Sequence, residues 1–378
     1  MSRIRFLFRQ DSADAWTSNN PTLAAGEIGV ELDSANGVSP KFKIGNGILA
    51  WNDSSFNYFI NDSDQAGLAG GAAGTWYGAR GLFFGGLNSS LGYSNVIDYI
   101  TIANAGNATD FGDLTISSIK NAALSNGSRA VSGGGYISAA SQNVMAYVET
   151  ATTGNATDFG DLTEAREALG ACSNGTYGLF GGGYRQGTGY SGTDHVDIID
   201  YITVSSTGNA TDFGNLTSNS QSTSALSDAT YGLFVLGQVG SSYVNTIDYV
   251  TIATTGNASD FGDTTVSKAW RGSCSDTTRG IIAGGSSGAA STYVNVIEYV
   301  TIASTGNATD FGDLTDDVAF LTAVSDATYA VIGGGTNDTD TITNTLNTIT
   351  IQTAANATDF GDLTEARRML AGASGSPS

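Results

Sequence analysis

The sequence predicts an all-β protein, a six-bladed β-propeller preceded by a small N-terminal β domain. Three observations lead to this class. The stretch TGNATDFGDLT occupies 153–163 and recurs at 305–315, with near-copies that begin at Ala105, Thr207, Thr255 and Ala354. The chain holds 51 Gly but only 3 Pro, together with 16 Phe and 16 Tyr, which are more aromatic residues than a disordered chain carries. Residues 1–60 share nothing with the repeat.

The period of the repeat predicts the blades. Its Asn falls at intervals of 48, 54, 48, 50 and 49 residues, at Asn107, Asn155, Asn209, Asn257, Asn307 and Asn356. Periods near fifty are typical of propeller blades, each a sheet of four short strands. In the third unit the strands are predicted in EALGACSNG, TYGLFGGG, DIIDYITVSS and ATDFGNLT, with an Asn-Gly turn after the first.

Paired glycines close the second strand of most units, where a crowded ring demands close backbone approach or a positive φ. They lie at Gly85–Gly86, Gly133–Gly135, Gly181–Gly183, Gly284–Gly285 and Gly333–Gly335, whereas the fourth unit has VLGQ around Gly237. Together with the Tyr of DY[IV]T and the Phe of DFG, these glycines resemble the kelch β-propeller family over roughly residues 75–378.

The recurrent Phe is predicted to make the same packing contact between neighbouring blades in all six units, at Phe111, Phe159, Phe213, Phe261, Phe311 and Phe360. The Asp before each Phe is expected to accept N–H bonds of its own turn. Calcium binding is the alternative use of such carboxylates, but no copy has the alternating acid spacing of a calcium loop. We therefore predict neither a metal nor a cofactor.

The two ends of the repeat array predict a closed ring. The chain ends in LTEARRMLAGASGSPS, which aligns with the blade start LTEAREALGACSNG, while the first unit begins late, near ARGLFFGG. A half-unit at one end and a missing half-unit at the other allow a strand within 367–375 to complete the first blade. The alternative is that GTWYGARG supplies that strand and the tail packs nearby.

The N-terminal segment carries a second pattern, NP-x-L-x-x-GE-[IV]-G, then K-[IV]-G-[DN]-G, then WND. Its elements are Asn20, Pro21, Gly26, Glu27, Gly45, Asn46, Gly47 and Trp51. This segment resembles a module at the N-termini of phage tail-fibre and tropism-determinant proteins. The resemblance implies a small β domain, often trimeric, that tethers a fibre to the virion. We divide the chain into an attachment domain (1–60), a Gly/Ala-rich linker (61–75) and a propeller (76–378).

Charge and hydropathy exclude several classes of partner. The net charge is −21, of which residues 1–60 contribute five cationic against six acidic side chains. The remaining net charge of −20, on residues 61–378, opposes binding to nucleic acid or to anionic membranes. The beginning of the chain has no apolar run long enough for a secretory signal or a membrane span, so we expect synthesis in a host cytoplasm and residence in the virion.

Cysteine and histidine usage argues against catalysis. Cys172 and Cys274 occupy one phase of the repeat, which predicts buried free thiols facing the core. His195 is the only histidine, so catalytic pairs and metal sites based on histidine lack their usual groups. The acids recur in every unit, as structural residues do, and no unique pair is positioned for glycoside hydrolysis. The six NA[ST] sequons are interpreted as turn residues, and the chain is predicted not to be an enzyme.

Binding is predicted at the loops that follow the glycines, because equivalent loops of a propeller gather on one face and loops on rigid scaffolds carry function. The loop over 184–195, YRQGTGYSGTDH, is the longest and breaks the repeat. It offers Tyr184, Arg185, Tyr190 and His195 as candidate receptor contacts, since Tyr and Arg suit sugar or protein surfaces.

These predictions combine into a virion protein, a short tail fibre or receptor-binding protein. Residues 1–60 would anchor a homotrimer to other virion proteins, and the propeller would contact a host surface glycan or protein. One alternative is a capsid decoration or head-fibre protein with the same anchor. A second is a glycan-degrading tailspike enzyme, and a third, an intracellular kelch-type adaptor, fits poorly with the N-terminal segment.

Overall fold

The structure is a computed structural model that describes the backbone of 8–11, 28–31, 41–44 and 59–60 and the residues 76–90, 92–187, 194–288 and 292–375. The chain divides into two compact units, Met1–Ala73 and Gly74–Ser378. The described strands of the first unit form a four-stranded sheet, in chain order Phe8–Asp11, Ile28–Glu31, Lys41–Ile44 and Phe59–Ile60. Its first two strands are parallel, and the other neighbours are antiparallel. The anchor-motif residues named above lie outside the described residues.

Among its described residues the second unit contains six antiparallel blade sheets, five with four strands and the closing one with five, and these are the six blades that the repeat predicts. We number the blades in chain order and their strands from the axis outwards. Blade 1 is Ala371–Gly375, Arg80–Asn88, Tyr93–Thr101 and Thr109–Asp113; blade 2 is Ala122–Ser125, Arg129–Gly133, Val144–Glu149 and Thr157–Asp161; blade 3 is Gly170–Ser173, Tyr177–Gly181, Ile198–Thr203 and Thr211–Asn215; blade 4 is Ser224–Ser227, Tyr231–Val235, Thr246–Thr251 and Ser259–Asp263; blade 5 is Gly272–Ser275, Arg279–Ala283, Val296–Thr301 and Thr309–Asp313; blade 6 is Thr322–Ser325, Tyr329–Gly333, Thr345–Thr350 and Thr358–Asp362.

The ring closes through the end of the chain. The strand Ala371–Gly375 pairs antiparallel with Arg80–Asn88, with Ala371 opposite Phe84 and Gly375 opposite Arg80. The short strand Arg367–Arg368 pairs with the far end of the same strand. The first strands of all six blades contact one another in sequence around the axis, and the sixth contacts the closing strand. The propeller therefore has no open end.

Short two-stranded ribbons extend the connections on one face. They are Tyr136–Ile137 with Ala140–Ser141, Tyr184–Arg185 with Asp194–His195, Gln238–Val239 with Ser242–Tyr243, and Val318–Ala319 with Thr336–Asn337. Paired glycines with positive φ precede three of these ribbons, as in Gly182 at 67° and Gly183 at 119°, whereas the ribbon of blade 4 follows the single Gly237. A Cβ on Gly183 would lie 2.8 Å from the carbonyl oxygen of Glu167, so this position requires glycine. No helix among the described residues is long and apolar enough to span a bilayer.

The repeated stretch TGNATDFGDLT, which we call the phrase, forms hydrogen bonds between neighbouring blades all around the propeller. The amide of Gly154 donates to the carbonyl of Phe111 at 2.8 Å, and that of Ala156 donates to Asp113 at 2.7 Å. The Oδ1 of Asn155 accepts from the amide of Asp113 at 3.1 Å. The same Asn bond recurs at all six junctions, including the closing one between Asn107 and Asp362. The sequon Asn is thus the acceptor that joins each blade to the one before it.

The six Phe of the phrase are all buried between blades, as predicted. Each contributes roughly 1.5–3 kcal/mol of apolar burial. The expectation for the preceding Asp is wrong: Asp110 and its equivalents are exposed on the outermost strand, and none accepts a backbone hydrogen bond within the described part of the chain. The turn is held by the neighbouring blade's Asn instead of by its own Asp.

Candidate binding face at the mouth of the axial channel

One face of the propeller collects the parts of the sequence that differ most between repeats. Neighbouring strands of a blade are antiparallel, so the glycine loops and the connections from one blade to the next emerge at the same end of the strands. This face, which we call the loop face, surrounds one mouth of the axial channel. Trp76 lies at the opposite end of that channel, against the ends of the first strands.

Three of the four predicted receptor contacts lie together on the loop face, and Tyr190 lies outside the described residues. Tyr184 and His195 are a cross-strand pair whose ring centroids are 5.6 Å apart. An Nη1 of Arg185 lies 2.6 Å from Oε2 of Glu164, and its Nη2 lies 3.7 Å from Asp194. The charge of Arg185 is therefore balanced within its own region of the face.

His195 connects this ribbon to the next blade. Its Nδ1 accepts a hydrogen bond from the amide of Gly240 at 3.1 Å, on the ribbon of blade 4. Partial burial lowers the pKa of His195, because desolvation disfavours the charged imidazolium. A neutral imidazole with an accepting Nδ1 suits this contact, so His195 positions the two ribbons relative to each other.

A second group of side chains, not predicted from the sequence, lies at the mouth itself. The fifth residue after the Thr of each LT or TT pair occupies an equivalent place around the axis. These mouth positions hold Lys120, Ala168, Ser222, Trp270, Phe320 and Met369. They line a depression of about 80 Å³ together with the residue that follows each of them.

The backbone at the mouth is held in an unusual conformation. All six mouth positions have φ between 55° and 63°, the left-handed region that non-glycine residues rarely adopt. Four of them donate head to tail to the carbonyl of the preceding mouth position, each at 2.8 Å, from Lys120, Ala168, Phe320 and Met369. Such strain persists only where the surrounding structure over-determines it, and it is concentrated at functional sites.

Aromatic and cationic side chains meet at the mouth, and the mouth positions that precede blades 3 and 4 hold the small residues Ala168 and Ser222. The rings of Trp270 and Phe320 lie 5.0 Å apart, and Tyr293 meets Phe320 edge-on at 6.0 Å. Lys120 reaches from the opposite side of the ring, with its Nζ 5.6 Å from the Trp270 ring. Arg368 lies 5.6 Å from the Phe320 ring.

Lys120 is fixed by a buried carboxylate. Its Nζ lies 2.8 Å from Oε1 of Glu167, whose side chain is 1% exposed. Burial raises the pKa of Glu167, and the neighbouring Lys120 opposes that rise. The pair holds the ammonium over the mouth with most of its charge compensated, so Trp270 and Phe320 offer flat apolar surface beside oriented N–H donors. Flat aromatic area with few oriented polar groups is typical of sites for sugars and peptides.

The buried acids of the third strands have a structural role. Asp200 accepts from the hydroxyl of Thr163 at 2.6 Å and lies 3.0 Å from Nη2 of Arg166, and both charged side chains are fully buried. The pairs Lys268–Glu298 and Arg367–Asp98 repeat this arrangement at 2.7 and 2.6 Å. These carboxylates join blades within the core. No group of three or more metal-ligating side chains occurs in the part of the chain that the structure describes.

No protein-family model matches the chain, and no curated protein is similar to it. The assignment of a site therefore depends on the repeat and on where the structure places its exceptions. A comparison of the six units position by position carries the signal for the mouth: positions that hold Phe or Asn are nearly invariant, whereas the mouth positions hold six different residues.

Proposed function

We propose that this chain is a non-enzymatic phage virion protein of the tail-fibre or receptor-binding type, whose kelch-like propeller binds a host surface glycan or protein through its loop face. The observation that carries the proposal is the mouth. Six equivalent, strained positions around one axis hold six different side chains, and these include Trp270, Phe320 and Lys120. A scaffold that needed only to fold would repeat these positions as it repeats its Phe and Asn.

The N-terminal segment supports attachment to a particle. Residues 1–60 resemble a virion-attachment module, and a trimer of three such modules is the proposed assembly, with residues 1–60 contacting other virion proteins.

Binding of fluorescently labelled full-length protein to host cells tests the propeller. Trp270→Ala and Phe320→Ala are expected to weaken binding at least tenfold, because truncating a central aromatic contact costs about 2 kcal/mol or more. Val266→Ala is the matched control, an apolar truncation at a 45% exposed residue of the same face but outside the mouth. Equal binding by all four proteins would contradict the proposed site, and release of reducing sugar from host polysaccharide would assign a tailspike enzyme instead.

Deletion of residues 1–60 tests the anchor. The shortened chain is expected to fold, because Gly74–Ser378 is a compact unit by itself, and to be absent from virions. Incorporation of the shortened chain into particles would contradict the role of the N-terminal segment. Imaging of labelled full-length protein on the particle separates a tail location from a capsid location.

A further inference from the structure

One aromatic position of the repeat is vacant in blade 6. Five blades place a Tyr in the middle of the third strand, and blade 6 has Thr348 in its place. The tyrosines are Tyr99, Tyr147, Tyr201, Tyr249 and Tyr299. In the first five blades this ring meets the Phe of the DFG phrase edge-on, with centroids 5.9 to 6.2 Å apart.

The other side of each tyrosine ring is covered by the first residue of the second strand. In blades 1, 2 and 5 this residue is an Arg whose guanidinium lies 4.1 to 4.5 Å from the ring centroid. In blades 3 and 4 it is a second Tyr, as in the pair Tyr177 and Tyr201 at 6.2 Å and the pair Tyr231 and Tyr249 at 5.8 Å. Each tyrosine ring is thus held between two partners.

Blade 6 keeps both partners and lacks the ring between them. Phe360 is buried as in the other blades, and Tyr329 begins the second strand as Tyr177 and Tyr231 do. Without a ring against it, Tyr329 is 37% exposed. Thr348 is too small to reach across, and a cavity of about 360 Å³ opens between blades 6 and 1, lined by Tyr329, Thr348 and Phe360.

The lining of this cavity, which we call the vacant-ring pocket, favours a ring that carries a polar group. Aromatic surface comes from Tyr329 and Phe360, whereas Thr348, Thr353 and Asn356 contribute polar side chains. The volume is within the range of small-ligand sites, about 300–1,000 Å³. The pocket lies at the end of the strands opposite to the loop face, so it is separate from the mouth.

We propose that the vacant-ring pocket binds a phenolic ring, supplied by a ligand where the other blades supply their own tyrosine. Blades 3 and 4 show the geometry that the ligand would adopt, because each holds a phenol between a Phe and a second Tyr with centroids about 6 Å away. Edge-to-face contacts of this kind stabilise a bound ring beyond the burial of its surface. In this geometry the ring carbon para to the phenol O–H lies beside Thr348, at the position where the other tyrosine side chains begin.

The test uses the full chain and p-cresol, followed by NMR. We expect saturable binding with a Kd that is roughly millimolar, with shifted signals from Thr348 and the rings of Tyr329 and Phe360. Thr348→Tyr fills the pocket with the residue of the other blades, so binding should fall at least tenfold and the Tm should rise by roughly 2–4 °C. Thr348→Ser keeps the pocket and should bind like the parent protein.

A second variant keeps the test decisive if Thr348→Tyr folds poorly. Tyr201→Thr recreates the vacancy in blade 3 beside Tyr177, and it should add a second p-cresol site. N-acetyltyrosinamide separates the sources of the ring: binding comparable to that of p-cresol indicates a tyrosine side chain, and binding of p-cresol alone indicates a free phenol. Equal binding by the parent protein and Thr348→Tyr, or no binding by either at 10-fold the roughly millimolar Kd, would overturn the proposal.

Discussion

The closing junction of the ring depends on a buried ion pair whose removal has a predictable cost. Asp98 of blade 1 lies 2.6 Å from Nη2 of Arg367, and both side chains are fully buried. Asp98 also accepts from the hydroxyl of Thr364 at 2.6 Å. Asp98→Ala leaves the buried guanidinium with only the partly exposed Glu365, 3.8 Å from its Nε, as a counter-charge. Removing one partner of a buried ion pair costs about 3–5 kcal/mol.

The protein itself provides the compensated alternative. At the junction between blades 5 and 6, the same two places are taken by Asn347 and Val318, and Asn347 still accepts from the hydroxyl of Thr315 at 2.6 Å. The double variant Asp98→Asn with Arg367→Val copies this uncharged arrangement to the closing junction. Replacing a buried ion pair by groups of matching shape is often neutral or stabilising. We therefore expect the double variant to lie within about 1–2 kcal/mol of the parent protein.

Urea unfolding, followed by far-UV circular dichroism, measures both variants. The single variant should lower the midpoint clearly, and the double variant should recover most of that loss without a change in slope. Asp200→Ala, which breaks the pair with Arg166 at an internal junction, is the control for ring closure. If the double variant is as unstable as Asp98→Ala, the loss arises from local geometry and the reasoning about charge is wrong.

Three further predictions concern buried polar groups. Burial raises the pKa of Asp248, so the stability it contributes is present at acid pH and is lost as the pH rises through that pKa. Asp248→Asn, which copies Asn347, should stabilise at neutral pH by roughly 0.5–1.5 kcal/mol, and this gain should shrink on acidification below about pH 4 in pH-dependent unfolding. Burial lowers the pKa of Arg271 to about 10, and its Nε and Nη1 have no partner among the described residues. Arg271→Leu introduces the residue that the equivalent position, Leu321, already holds, and it should raise the urea midpoint by the equivalent of about 1–3 kcal/mol. A lower midpoint would contradict this. Burial raises the pKa of both cysteine thiols, including Cys172, so Ellman's reagent should react with them only after unfolding, and rapid native labelling would show access to the core.

The repeated phrase made the number of blades predictable from the sequence. A recurrent apolar residue at a fifty-residue period indicates one packing contact per blade, and Phe111 and its equivalents confirm it. The role of the neighbouring Asn was less accessible. Asn155 bonds to Asp113, 42 residues away, and this partner depends on how two blades are placed beside each other. Local turn chemistry alone therefore assigned the acceptor role to Asp110.

The mouth was harder to predict from the sequence because the largest departure in length drew attention to the loop over 184–195. The loop around Tyr184 is the longest, yet the charge of Arg185 is balanced by Glu164 and Asp194 next to it. The mouth positions cause no change in length, so a repeat alignment built on glycines and Phe passes over them. These positions are recognised as a group only in the closed propeller, which brings Lys120 and Trp270 together across the axis although 150 residues separate them in the sequence.

The innermost strands show why the six copies are alike without being identical. Leu124, Leu226 and Val324 alternate around the ring with Cys172, Cys274 and Ala373. Each of the three large residues packs against a glycine in the second strand of the following blade. A Cβ placed on Gly178 would lie 2.6 Å from a methyl of Leu124, and one placed on Gly280 would lie 2.5 Å from a methyl of Leu226. In the blades that follow Cys274 and Ala373, the equivalent position of the second strand holds Ala330 and Ala130, which lie in the same core clusters as those two residues. Cys172 is the exception, because it lies against Gly232.

Volume lost at one place is therefore mostly restored at its neighbour, as close packing requires. Differences between copies of this kind are compensated and carry no functional information. Thr348 differs because no neighbour fills the space that it leaves beside Tyr329 and Phe360. In a repeat protein the uncompensated exception is the one that points to a ligand, and this criterion separates the vacant-ring pocket from the many substitutions that the ring absorbs.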